Sequence, residues 1–185
     1  MKKFIIVLLT VLLVFSLTSC KDNGDELVAT YEEFSRYYTL TIRLRNYLGF
    51  TDEEIKDIDA FEVERIVSYY YNSDIDVKSV TNAVGTVKET EDGNKTTTEW
   101  KDVVIDYKYT EGSDSTEKEG KLTISGTYVY ESDTSRAQST YSVNSFNFTI
   151  NDTSFTLDYR TDEGRFTTAN VNGKDVNLRL LNAGV

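Results

Sequence analysis

The chain has 185 residues, with 20 Lys and Arg against 31 Asp and Glu, a formal net charge of −11, one Cys and no His or Pro. The acidic balance, with no basic stripe along the chain, argues against nucleic-acid binding, which depends on clustered Lys and Arg. Because His is absent and Cys is single, the composition excludes Ser-His-Asp and Cys-His catalysis, zinc sites of the usual kind and an internal disulfide.

The first twenty residues have the pattern of a secretion signal. Two lysines precede an apolar run over residues 4–17, and the only cysteine, Cys20, follows that run after two small residues. A positive start, a short apolar stretch and small residues before a break are typical of a cleaved signal peptide. The run is shorter than the roughly 20 residues that a membrane-spanning helix needs. We therefore predict a signal peptide over residues 1–19, with an uncleaved N-terminal anchor as the alternative.

The segment Leu17-Thr18-Ser19-Cys20 resembles the lipobox of bacterial lipoproteins. The resemblance covers only the start of the chain. It implies cleavage before Cys20 and attachment of a diacylglyceryl group to its sulfur, which makes the membrane a partner of the protein through this lipid anchor. Two or three acyl chains bind a membrane stably, whereas one chain binds reversibly. Lys21 stands where an Asp tends to retain lipoproteins at the inner membrane, so the resemblance implies the bacterial cell envelope, and the outer membrane if the cell has two.

The remainder of the chain is predicted to hold one domain. Residues 20–26 form the lipidated end and a short polar tether, and residues 27–185 are long enough for a single globular domain with a real core. No internal repeat and no composition shift indicates a second domain. We expect the domain to lie close to the membrane surface, because so short a tether reaches at most about 20 Å.

Residues 27–71 are predicted to be mainly helical. Tyr31, Phe34 and Tyr38 are spaced as on one face of a helix. Gly49 is suited to end that helix, and the segment 51–54, Thr-Asp-Glu-Glu, has the pattern of a capping box that begins a second one. A strand-like alternation over residues 40–45 competes with this interpretation, so both helices and strands remain open here.

From residue 75 to residue 181 the pattern predicts a β-meander. Apolar residues occupy every second position in several segments, which is typical of strands with one buried and one wet face; the clearest are 103–109, 122–130, 155–159 and 176–180. Asp92-Gly93 and Asn172-Gly173 are hairpin signals. A change of phase at Asn144-Ser145 predicts a β-bulge. The polar segment 111–120 is predicted to be a long loop.

We predict an α+β fold, with the N-terminal helical pair packed on an antiparallel meander of about seven strands. The apolar face of such a sheet needs a cover, and residues 27–71 can supply it. The alternative is a sheet that closes on itself as in lipocalin-like barrels, which also buries the apolar face.

The tyrosines are the one feature with a functional bearing. There are 13 of them, and tyrosine suits interfaces and sugar-binding surfaces because it has an apolar body and a polar tip. Tyr107, Tyr109, Tyr128 and Tyr130 share the parity of the core positions near strand ends. They are predicted either to form the rim of the core or to line a binding cleft at one end of the sheet.

These observations favour a membrane-anchored envelope protein that acts as a binding or interaction module and not as an enzyme. An envelope protein or a carbohydrate is the kind of further partner that we expect, its identity being left open by the sequence, and no cofactor or metal is expected. The alternatives are a structural envelope protein without a small-molecule site and, more remotely, a hydrolase that uses two carboxylates. The sequence points to no particular carboxylate pair.

Overall fold

The computed structural model describes residues 30–48, 55–71, 74–133 and 138–183. Residues 30–48 form helix α1, and a short 3₁₀ turn, Ile55–Asp57, precedes helix α2, Ala60–Tyr71. Seven strands and a last helix follow: β1 Ile75–Asp92, β2 Lys95–Glu111, β3 Asp114–Asp133, β4 Gln138–Ile150, β5 Thr153–Asp162, β6 Arg165–Val171, β7 Lys174–Asp175 and α3 Leu178–Ala183. The signal segment, Cys20 and the tether lie outside the described residues.

Residues 30–48 and 60–71 are helices, as predicted. The side chains of Leu40 and Leu44 are fully buried, whereas Ile42 between them is 39% exposed. A strand would place all three on one face, so the competing alternation is wrong for this segment. In α2, Phe61 is 61% exposed while Val63 is buried. A strand would place these two side chains on the same face, so a strand is excluded here too.

Helix α2 begins later than predicted. Its capping box is formed by Asp59, whose carboxylate accepts a hydrogen bond from the backbone of Glu62 at 2.9 Å, while the Glu62 side chain accepts one from the backbone of Asp59 at 3.4 Å. This reciprocal pair satisfies two of the free N–H groups at the start of the helix. The predicted signals at Gly49 and Thr51 lie outside the described residues.

The seven strands form one open antiparallel sheet in the order β1-β2-β3-β4-β5-β6-β7. The predicted meander is confirmed, and the closed lipocalin-like barrel is wrong for the residues that the structure describes. The hairpin between β6 and β7 turns at Asn172 and Gly173, which both have positive φ, as a type I′ turn requires. The sheet therefore has two true edges, β1 and the short β7.

The sheet bends along one line across its first four strands. Neighbouring strands carry a residue of positive φ and a register shift at this line: Gly85 on β1, Asp102 on β2, Gly126 on β3 and Ser145 on β4. A Cβ on Gly126 would lie 2.6 Å from the Cα of Phe146, so only glycine fits there. The bulge predicted at Asn144-Ser145 is confirmed, and bulges of this kind bend and twist a sheet. The bend lets the inner face curve around the helices.

Helix α1 crosses the inner face of the sheet from β5 and β6 towards β3. Close to the middle of α1 the ring of Tyr37 stacks on Phe155 of β5, with the centroids 3.6 Å apart. Near its end the guanidinium of Arg45 lies over the ring of Tyr128. Helix α2 lies beside β1, where the Glu64 carboxylate accepts a hydrogen bond from the backbone of Val77 at 3.1 Å. Together the helices cover most of the apolar face.

Two further predictions are wrong. Residues 111–120 are not a long loop, because β2 turns into β3 at residues 112 and 113 and the polar segment continues as strand. Its charged side chains pair across the hairpin instead of forming an apolar face, for example Lys108 with Glu117 at 2.8 Å and Lys118 with Glu111 at 3.0 Å. The predicted strand over 176–180 is replaced by α3, whose Asn182 side chain bonds both backbone groups of Phe166 and so covers the edge of β6.

Candidate functional site

The four tyrosines singled out in the sequence form two separate pairs. On β2 and β3, Tyr107 lies opposite Gly120, whereas Tyr128 lies opposite Thr98. At about 3.3 Å per residue, these two positions are roughly 25–30 Å apart along the strands. The structure therefore does not bring the four residues together in one cleft. We call the end of the sheet with Tyr107 and Tyr109 the lower end, and the end with Tyr128 and Tyr130 the upper end.

The lower pair belongs to the core. Tyr107 is 1% exposed, and its ring occupies the space beside Gly120, where an added Cβ would lie 2.4 Å from the ring. Tyr109 is 6% exposed, with its ring centroid 5.6 Å from that of Tyr107. Glycine on one strand beside an aromatic ring on the next is a packing device of β-sheets. These two residues offer little surface to a ligand.

At the upper end, five tyrosines from α1, β3, β4 and β5 lie together; we call them the tyrosine cluster: Tyr38, Tyr128, Tyr130, Tyr141 and Tyr159. The ring centroids of Tyr130 and Tyr141 are 5.1 Å apart, those of Tyr128 and Tyr141 are 6.3 Å apart, and those of Tyr38 and Tyr159 are 5.2 Å apart. Such separations are in the range of favourable aromatic pairs.

One cation of α1 organises the cluster. The guanidinium carbon of Arg45 lies 4.6 Å from the centre of the Tyr128 ring. Nη1 of Arg45 donates a hydrogen bond to the hydroxyl oxygen of Tyr128 at 3.1 Å. Arg45 and Tyr38 are seven residues apart, which places them on the same side of a helix. The last turns of α1 therefore hold the cluster against the sheet.

Burial raises the pKa of three of the cluster tyrosines above the usual value of this side chain. It raises the pKa of Tyr128 to about 12, although the charge of Arg45 acts in the opposite direction. Burial also raises the pKa of Tyr159 far above its usual value, and burial together with the nearby Tyr141 raises the pKa of Tyr38. Each of these hydroxyl groups can thus both donate and accept a hydrogen bond.

Part of the cluster is accessible from solvent. Tyr38, Tyr130 and Tyr141 are half-buried, whereas Tyr128 and Tyr159 are buried beneath them. The Tyr130 hydroxyl is 3.3 Å from the Ser139 hydroxyl. The arrangement can stack planar or weakly polar rings and can form hydrogen bonds at its rim. In the described ranges, no three His, Cys, Asp or Glu side chains come together in a way that could hold a metal ion.

A polar cavity of about 700 Å³ lies on the outer face of the sheet at the lower end. Asp106, Lys108, Glu119, Lys121 and Asp152 line it, beside the backbone position of Tyr107. Both lysines of the lining are already in ion pairs, Lys121 with Asp106 at 3.6 Å and Lys108 with Glu117 at 2.8 Å. Their side chains are 56% and 41% exposed, so water screens these charges strongly. The volume is that of a ligand site, but the lining is that of a solvated surface.

A smaller groove of about 350 Å³ lies between the two helices, lined by Tyr31, Arg36, Tyr69 and Tyr70 among others. An arginine also covers an aromatic ring here: the Arg43 guanidinium lies 4.6 Å from the centre of the Tyr69 ring. The groove contains no buried polar side chain that converges on its centre.

Sequence reasoning identified two members of the cluster and missed the contributions of Arg45 and Tyr141. Tyr38 was assigned only to the apolar face of a helix. The spacing of Tyr38, Ile42 and Arg45 marks one side of α1, and this is the signal that could have revealed the arginine. This side of α1 meets β3 and β4 because of the angle at which the helix crosses the sheet. A local sequence pattern does not determine that crossing angle.

Comparison of the chain with protein-family models, with curated proteins and with solved structures finds no match. Among the helices in the described part of the chain, none is both long and apolar enough to cross a membrane.

Proposed function

We propose that this chain is a lipid-anchored protein of the bacterial cell envelope whose β-meander presents a non-catalytic binding surface, the tyrosine cluster. The observation that carries the proposal is the accessibility of three adjacent tyrosines, Tyr38, Tyr130 and Tyr141, above a buried layer fixed by Arg45. A tyrosine surface of this kind binds with little loss of side-chain entropy, since the rings are already held.

The position of the cluster fits an anchored protein. The first described residue of helix α1, residue 30, comes ten residues after the proposed anchor at Cys20, and from there the helix runs towards the upper end of the sheet. Arg45 lies 15 residues further along, or roughly 22 Å along the helix axis. The tether therefore joins the domain at the end of α1 that is remote from Arg45, and the cluster can face away from the bilayer.

The anchor is tested by the Cys20→Ser variant in the native bacterium. We expect wild type to partition into the detergent phase and to carry diacylglyceryl mass on Cys20, and the variant to remain an unprocessed precursor without it. Ser19→Ala keeps a small residue before the cysteine and serves as the control that should be processed normally. Acylated mature protein in Cys20→Ser cells would exclude the anchor.

The binding surface is tested separately by photo-crosslinking in intact cells. Tyr141→p-benzoylphenylalanine places the reactive group in the cluster, and Thr168→p-benzoylphenylalanine places it on an exposed position of β6. We expect discrete adducts from position 141 and none of comparable yield from position 168. Equal yields from the two positions, or no adduct from position 141, would contradict the assignment of the cluster as the binding surface.

The outer-face cavity supports a second candidate, a site for a small polar molecule. Its volume of about 700 Å³ and its five charged side chains of both signs are the observations in its favour. Asp106→Asn would remove the partner of Lys121 and should change the affinity for such a molecule without affecting crosslinking from position 141.

A further inference from the structure

The structure assigns a chemical class to the partner of the tyrosine cluster: we propose that it binds a neutral saccharide chain, with sugar rings lying against Tyr130 and Tyr141. This inference rests on the proposed function, because it uses the same surface. It goes further in naming the ligand class and in excluding acidic polymers.

The geometry of the exposed rings is the first argument. Tyr130 and Tyr141 face each other across β3 and β4, with centroids 5.1 Å apart and ring planes tilted by 37°. Both are half-buried, so each is held in place while one part remains accessible. Two adjacent rings that are held in place and partly exposed offer apolar surface against which successive rings of an extended chain can lie.

The mixed polarity of the surface is the second argument. Five phenol hydroxyls, the Ser139 hydroxyl and the Arg45 guanidinium lie in or beside the cluster. A purely apolar partner would remove water from the half-buried tyrosines, Tyr38, Tyr130 and Tyr141, and would offer their hydroxyl groups no hydrogen bonds in return, which is unfavourable. A saccharide has apolar C–H faces for the rings and hydroxyl groups at its rim for the polar tips.

Charge is the third argument. The chain carries a formal net charge of −11. The Arg45 guanidinium, which lies over the Tyr128 ring, is already engaged with that ring and its hydroxyl. A polyanionic glycan would therefore meet long-range repulsion from the protein. A neutral chain meets no such repulsion.

The test is isothermal titration calorimetry of the full chain in detergent with five neutral probes: maltoheptaose, cellohexaose, xylohexaose, mannohexaose and chitohexaose. Oligogalacturonate is the acidic comparator. We expect at least one neutral probe to bind with a Kd in the micromolar to millimolar range and the acidic one not to bind. No binding by any of the five neutral probes, or tighter binding of oligogalacturonate, would overturn the inference.

Variants assign any binding to the cluster. Tyr130→Ala and Tyr141→Ala should each weaken it about tenfold, as loss of one stacking ring does. Tyr141→Phe keeps the ring and should bind within about threefold of wild type. Tyr31→Ala, in the groove between the helices, should bind like wild type. Equal losses in Tyr31→Ala and Tyr141→Ala would overturn the assignment, and circular dichroism of each variant checks that it is folded.

The two proposals fail in different ways. If position 141 captures a protein in cells while no saccharide binds, the cluster remains a binding surface and the saccharide inference is wrong. If a saccharide binds but Tyr130→Ala and Tyr141→Ala have no effect, the sugar binds elsewhere and this inference is also wrong. If position 141 captures nothing and no probe binds, both proposals fail.

Discussion

The lower and upper tyrosine pairs of β2 and β3 follow the same alternation in sequence and differ in their surroundings. Tyr107 is enclosed because Gly120 on the next strand leaves room for its ring. Tyr130 has another tyrosine, Tyr141, on the next strand, and its ring stays half-exposed. Period-two alternation therefore determines which face of the sheet a side chain lies on. The residue opposite it on the neighbouring strand and the helix packed above determine how deeply that side chain is buried.

Truncation of one residue from each pair should give the largest contrast. Tyr107→Ala should lower the free energy of unfolding by about 3–5 kcal/mol, because it leaves a cavity in the core. Tyr130→Ala should lower it by about 1 kcal/mol or less, since water can fill the space. Urea denaturation of both variants measures the difference. Similar losses in the two variants would mean that the lower and upper pairs have the same role.

The glycine that encloses Tyr107 gives the next largest effect. Gly120→Ala should lower the free energy of unfolding by about 1–3 kcal/mol, because the new methyl group would overlap a ring that is itself buried. In a Tyr107→Leu background the same substitution should have a clearly smaller effect, which a double-mutant cycle detects. If the loss is the same in both backgrounds, the ring is not the obstacle.

The sequence predicts the fold class and most of the strands because the driving patterns are local. Alternation along β2 to β5, the turn at Asn172-Gly173 and the bulge at Ser145 each depend on residues next to one another in the chain. The prediction is wrong for two kinds of segment. In the β2–β3 hairpin, charged residues replace the apolar alternation. In α3, the six residues fit both the helical and the strand period.

The binding surface could be predicted only in part, because it is assembled from distant segments. Tyr128 and Tyr130 are evident from their strand parity. Tyr38 and Arg45 reach them only because α1 crosses the inner face at a particular angle, over a sheet whose twist is increased by the bulges at Gly126 and Ser145. Crossing angles and sheet curvature result from packing over the whole domain.

Alkaline pH distinguishes the cluster through its raised pKa values. Burial raises the pKa of Tyr128 from 10.0 to about 12, so between these values the unfolded chain releases this proton while the folded chain keeps it. Stability from this group is complete below pH 10 and should fall by about 1.4 kcal/mol per pH unit from pH 10 to 12. Urea denaturation against pH should show a steeper decline for wild type than for Tyr128→Phe, and equal declines would contradict the burial of this hydroxyl.

Removal of Arg45 should have a small effect on stability and a specific effect on the titration of the cluster tyrosines. Arg45→Gln should lower the free energy of unfolding by about 1 kcal/mol, through loss of the contact with the Tyr128 ring and of one hydrogen bond. Because the charge of Arg45 lowers the pKa of Tyr128, its loss should shift tyrosinate absorbance to higher pH. The matched control is Arg179→Gln, which removes one arginine from an exposed position of α3. It should leave the titration unchanged, and an equal shift in both variants would mean that Arg45 acts on the cluster only through the overall charge of the protein.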